Sequence, residues 1–357
     1  MKSNSRLDYI DVCKTIGILL VVLGHTYYGP QVLYNLIYCF HMPLFFVIAG
    51  YTYNKARNDQ LGFRLFAKKK ARQLLGPYVL FAFINLLLQI IWRSLLLKEV
   101  ITFDYVKKNM VGIVLCYSSM NYMPNCSPIW FLLCLFLADL LFFWQIKLGK
   151  NGSWIAATVC MVVAYAFSKM PHDYNTFPWK FPVFLMASFF MYVGYMLRQF
   201  VDNHCVNKLS LPAIAVVALF TSLVIEVATG NSVGMNENNY GQLLVFLLTS
   251  IPISCAIILL CRSATFLSRI KPLIWVGRNT LYVVGFNYLC RDLATEIYYL
   301  IPGLRRHKIS FIPLFLLTFG LSILCALLCS KIKTVFSSRK RYEKEQKKNT
   351  FVSGSYL

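Results

Sequence analysis

Apolar residues in this chain run together rather than alternating with polar ones at the spacing of a half-buried helix or strand. An apolar stretch of about 20 residues crosses a hydrocarbon core of about 30 Å as a helix. Ten such stretches stand out, at approximately 11–28, 36–53, 75–91, 129–146, 154–167, 181–197, 209–228, 242–260, 273–289 and 311–330. The fifth is short and the ninth is interrupted by polar residues. The pattern predicts an all-α polytopic membrane protein with about ten transmembrane helices. The longest connection, 98–128, contains a segment at 105–115 that predicts a short helix lying on the membrane surface. Beyond residue 337 apolar residues give way to charge. The expected organisation is a transmembrane domain over 1–337 and a basic cytoplasmic tail over 338–357, disordered or drawn to anionic lipid. No internal repeat and no separate soluble domain interrupts the series.

Composition supports lipid as the solvent: 58% of residues are hydrophobic and 14% charged, against about 45–50% and about 25% in soluble domains. A net charge of +22 would suit nucleic acid, a membrane surface or an anionic ligand, and the position of the cations decides among these. Counted over alternate connections, one side receives Lys2, Arg6 and Lys14, then the run from Lys55 to Arg72. It also receives Lys147, Lys150, Arg198, Arg262, Arg269, Lys271, Arg278 and the tail from Lys331 to Lys348. Cytoplasmic connections carry the excess of Lys and Arg, so this side is cytoplasmic and holds both termini. Most of the charge is then topology, and nucleic acid drops out as a partner. The first apolar run has no small-residue cleavage site after it and is read as a retained span. The 12 cysteines form no Cys-x-x-Cys pair, which leaves zinc and redox motifs without support. Cys116 and Cys126 share one connection and are candidates for a disulfide.

Ionisable groups at membrane depth are costly and point to function. The first span carries Asp11, Lys14, His25 and Thr26. Lys14 and His25 lie eleven residues apart, three helical turns plus about 20°, so they share one face about 16 Å apart along the axis. Lys14 can snorkel to the headgroups and His25 can bond a carbonyl; equally, histidine is the usual general base near neutral pH. His41, ahead of Pro43 in the second stretch, either lines a site beside His25 or caps a kinked segment. The segment Arg64–Arg72 packs five cations into nine residues, as a flank of the next span or as a phosphate-binding patch that Arg278 and Asn279 extend. Asn85, Gln89, Asp139, Glu226 and Asn287 are further polar residues at depth, Asp139 and Glu226 close enough to span ends to meet headgroups. No metal-ligand cluster, nucleotide-binding glycine loop or Ser-His-Asp set is present.

Five stretches, in order, resemble the integral-membrane acyltransferase family 3, in its branch of bacterial sugar and polysaccharide O-acetyltransferases. They are Ile10-Asp-Val-Cys-Lys14-Thr-Ile-Gly-Ile-Leu-Leu-Val-Val-Leu-Gly-His25, Phe40-His41-Met-Pro-Leu-Phe-Phe-Val-Ile-Ala-Gly50, Lys70-Ala-Arg72 with Pro77-Tyr78, Trp130-Phe-Leu-Leu-Cys-Leu-Phe136 and Gly277-Arg278-Asn-Thr-Leu-Tyr282. The resemblance implies acetyl-CoA, or another short acyl-CoA, as the cytoplasmic cosubstrate, with no metal. It implies a sugar or polysaccharide hydroxyl as acceptor and a multi-pass place in the bacterial inner (plasma) membrane. It maps the family's pairing of a basic residue with a histidine eleven positions later onto Lys14 and His25, the catalytic pair, although the family usually has Arg where Lys14 stands. Lys14, Arg72 and Arg278 are the expected contacts to coenzyme A, and His41, Asn287 and Asp139 those to the acceptor. Asn287 stands where many relatives carry His, and so has no expected role in proton transfer. Some relatives are described as exporters, which keeps a polysaccharide or lipid-linked sugar flippase as the alternative. The absence of inverted repeats weighs against it.

Overall fold

Inside lipid a backbone must satisfy its own polar groups, which a single segment does as a helix. The computed structural model describes residues 7–26, 29–95, 98–119, 121–123, 126–173, 175–203, 210–300 and 310–353, and over these the chain is helical, with no strand. Lys2 and Arg6, used above for orientation, lie outside the described residues. The helices are α1 (Asp8–Thr26), α2 (Gln31–Tyr38), α3 (His41–Tyr51), α4 (Lys55–Lys70), α5 (Gly76–Leu95), α6 (Phe103–Leu115) and α7 (Trp130–Gln145). They continue with α8 (Gly149–Ser168), α9 (Phe181–Asn203), α10 (Ser210–Thr229), α11 (Leu243–Ser263), α12 (Lys271–Arg278), α13 (Thr280–Leu300) and α14 (Phe311–Ser353).

Among the described residues, eight stretches are long and apolar enough to cross a membrane. One of them, Ser127–Ser168, holds both α7 and α8, which part at Gly149, where φ is +75°, a conformation that favours glycine. The expected ninth span is not among the eight. The chain breaks there at Asn279, whose side-chain amide donates to the Trp275 carbonyl (2.8 Å), a local bond that competes with the helical ladder. The longer piece, α13, then carries Arg291, Asp292 and Glu296 in its second half. The second stretch is also divided, α2 ending before Cys39 and α3 starting at His41. Pro43 therefore sits in the first turn of α3, where its missing N–H is not needed. The connection helix expected at 105–115 is present as α6, with Thr102 accepting from the Tyr105 amide (3.2 Å) at its start. Cys116 and Cys126 are both buried free thiols rather than a disulfide. α14 runs as one helix from Phe311 past residue 337 to Ser353, in keeping with the helix propensity of Lys, Arg, Glu and Gln.

Small residues let the central helices touch backbone to backbone. A Cβ on Gly50 of α3 would lie 1.8 Å from the Met191 carbonyl oxygen of α9, and one on Gly194 would lie 1.9 Å from that of Val47. Gly277 of α12 faces the Asp11 carbonyl of α1 in the same way, at 1.8 Å. α1 and α3 run in opposite directions. Tyr9 near the start of α1 meets Tyr51 at the end of α3 (3.0 Å between hydroxyls), while Gly24 near the end of α1 lies against the Tyr38 ring just ahead of α3. By contrast α10 is mostly exposed and faces the hydrocarbon.

Candidate functional site

The antiparallel pair α1 and α3 forms one wall of a cavity of about 1250 Å³. Its ends differ in character. At the end where α1 starts and α3 finishes, Lys14, Arg57, Lys69, Lys70, Arg198 and Arg278 line it. At the other, where α1 finishes and α3 starts, it is lined by His25, His41, Tyr34, Tyr38 and Tyr288, with Trp130 and the 234–237 segment. Pockets that hold one drug-sized ligand measure about 300–1,000 Å³, so the space accommodates a larger ligand or two at once.

The basic end is built from the first turn of α1. Asp8 and Asp11 stand at that helix N-terminus, where the helix dipole favours carboxylates. Because Gly277 brings α12 onto the α1 backbone, Arg278 donates from Nε to Asp11 (3.1 Å) and from Nη2 to Asp8 (2.8 Å). Lys14, one turn further along α1, donates to the other oxygen of Asp11 at 3.3 Å. The Asp11 carboxylate is almost fully buried, and two cations at the cavity mouth share it. Lys70 is tied from behind by Asp139 of α7 at 2.8 Å, and Lys69 lines the cavity beside it.

At the opposite end the two imidazoles have different partners. His41 uses Nδ1 on the Ile37 carbonyl at 2.8 Å and packs edge-on to Tyr38. His25 has its Nδ1 3.4 Å from the Tyr288 hydroxyl, with the two rings edge to face at 4.8 Å. Arg291 lies over the Tyr288 ring, 4.3 Å from its centroid.

Of the residues singled out in the sequence, Lys14, His25, His41 and Arg278 therefore meet in one cavity, and Arg72, Asp139 and Asn287 do not line it. Arg72 is exposed at the start of a π-helical turn, Ala71–Leu75. At 100° per residue it falls outside the arc shared by residues 69, 70 and 73. Lys69, Lys70 and Gln73 line the cavity instead. Asp139 is buried behind Lys70, which it anchors. Asn287 is fully buried with both amide atoms unpartnered; its neighbour Tyr288 is the one that reaches the cavity. Sequence reasoning missed Tyr288 and Arg198 as cavity residues, and from the basic segment 64–72 it chose Arg72 where Lys69 and Lys70 line the cavity. The signal for Tyr288 was the 100° step between adjacent helical residues, which turns it toward α1 when Asn287 turns away.

Comparison with known proteins agrees with this arrangement. A family model described as an acyltransferase domain matches residues 7–331. Neither the curated proteins nor the solved structures returned a match. The match takes in the cavity's α1, α3 and α13 walls together with the helices that brace them, and the chain accordingly belongs to acyltransferase family 3, as a multi-pass membrane enzyme that transfers groups other than aminoacyl groups.

Proposed function

We propose that the protein is an O-acyltransferase of the bacterial inner (plasma) membrane. It takes an acetyl group from acetyl-CoA, or another short acyl group from its CoA ester, and delivers it to a hydroxyl of a cell-surface glycan or its lipid-linked precursor. The observation that carries this reading is the single cavity that joins a cluster of cations to a pair of histidines one helix length away. The cation end suits the phosphates of coenzyme A, with Lys14, Lys69, Lys70 and Arg278 as their contacts. The pantetheine arm then covers the separation of about 16 Å between Lys14 and His25.

A thioester is already activated, so catalysis needs a positioned carbonyl and a base for the acceptor hydroxyl. His25 Nε2 takes the hydroxyl proton as the acceptor oxygen bonds to the thioester carbonyl carbon. The C–S bond breaks, and the proton held by His25 passes to the departing CoA thiolate. His41, at the same end, orients the acceptor.

The test is mass spectrometry of the surface glycan from cells with and without the protein, together with CoA thiol release by purified protein in lipid. Loss of ester groups from the glycan in its absence, with thiol release in its presence, is the expected result. A large cavity also suits the exporter reading, under which glycan moves with no thiol released; that outcome would replace the proposal.

A further inference from the structure

The contacts around His25 carry one step more, resting on the reading of His25 as the base. An imidazole can take a proton at Nε2 only in the tautomer that carries its hydrogen on Nδ1. The group facing Nδ1 selects that tautomer. In this fold it is the Tyr288 hydroxyl, at 3.4 Å, long for a hydrogen bond in the way of catalytic contacts that tighten when substrate binds. The phenol oxygen both donates and accepts, and here it can accept from Nδ1–H.

The ring that carries this oxygen is held by two neighbours. The His25 ring packs edge to face with it, and the Arg291 guanidinium lies 4.3 Å from its centroid. Arg291 is itself fixed by two bonds to Asp292, at 2.9 and 2.7 Å. Arg291 and Asp292 stand within about one turn after Tyr288 on α13, so the whole support belongs to one helix.

We propose that Tyr288 is the positioning residue for His25: its hydroxyl accepts from Nδ1–H, leaves Nε2 free to receive the acceptor's proton, and stays bonded to the imidazolium that forms. Arg291 keeps the phenol in place. Tyr288 thereby fills the orienting role that a carboxylate plays beside histidine in hydrolytic triads.

The test is Tyr288→Phe, which keeps the ring packed against His25 and under Arg291 and removes only the oxygen. The kcat for acyl transfer is expected to fall about tenfold, the worth of one hydrogen bond to the reacting imidazole, with KM for acetyl-CoA unchanged. Independently of turnover, ¹⁵N spectra of histidine-labelled protein in lipid, assigned against His25→Gln, are expected to show His25 protonated at Nδ1 in the parent. In Tyr288→Phe they are expected to show it shifted toward the Nε2-protonated form. An unchanged kcat, or an unchanged His25 tautomer, would overturn the proposal. Full acyl transfer by His25→Gln would instead remove the base assignment on which it rests, so the two failures are told apart.

Discussion

Gly277→Ala is the substitution for which the structure specifies the most. The added Cβ would sit 1.8 Å from the Asp11 carbonyl oxygen and 2.5 Å from its carbon. These are backbone atoms of α1, which no rotamer change can move. Ordinary contact starts at 3.4 Å, so α12 must retreat from α1 by about 1.6 Å, an overpacking whose cost is about 1–3 kcal/mol. The same retreat stretches the 3.1 Å bond from Arg278 to Asp11 beyond hydrogen-bonding range and removes one cation from the buried Asp11 carboxylate. The assay is thermal unfolding of the purified protein in detergent, run alongside the KM for acetyl-CoA. Lower thermal stability and a raised KM are expected, and the KM effect should largely disappear when Arg278→Ala is already present, because both changes act through one contact. Gly277→Ala unfolding with the parent protein would refute the backbone contact. Additive KM effects would refute the route through Arg278.

Other outcomes are equally specific. His25→Ala is expected to lower acyl transfer by about 10²–10⁴-fold while membrane insertion, read by protease accessibility, stays normal. Asp139→Ala leaves Lys70 without its buried partner and is expected to destabilise the protein by about 3 kcal/mol, at the low end for a broken buried pair because Lys70 reaches the cavity; denaturation in mild detergent measures it. Lys69→Gln is expected to raise KM for acetyl-CoA whereas Arg72→Gln leaves it unchanged, a contrast that steady-state kinetics on the two variants decides. Asn287→Leu replaces an amide with no partner by an apolar group of similar size, so unfolding temperature should hold or rise with activity retained.

Much of this molecule was legible in its sequence because lipid imposes a simple rule on it. Apolar stretches become helices, and eight of the ten expected positions carry one helix largely where the pattern put it, the second and the ninth being divided in two. The pair Lys14 and His25 was readable from helical spacing alone, since both stand on one unbroken helix. What failed did so where local geometry decided. The Asn279 amide turned one expected span into two helices, and the cavity face of the basic segment took Lys69, Lys70 and Gln73 rather than Arg72. Asp139 reads as a buried acid in either case, but only a fold can say that Lys70 from another helix comes to meet it. The same holds for Asp11, which meets cations 3 and 267 positions away.

The glycine contact between α3 and α9 bears on how such a protein can move. Gly50 rests on the Met191 carbonyl and Gly194 on that of Val47, so each backbone is seated against the other at two points. Helices joined through long side chains can roll or slide as rotamers exchange; two backbones in direct contact have no such slack. The pair is a strut, and it carries His41 at the start of α3 and Arg198 near the end of α9. The backbones at those two residues are expected to keep a constant separation between ligand-free and ligand-bound protein. Admission and release then fall to the elements around the strut, with α12 and α13, divided at Asn279, as the joint in the wall that faces it.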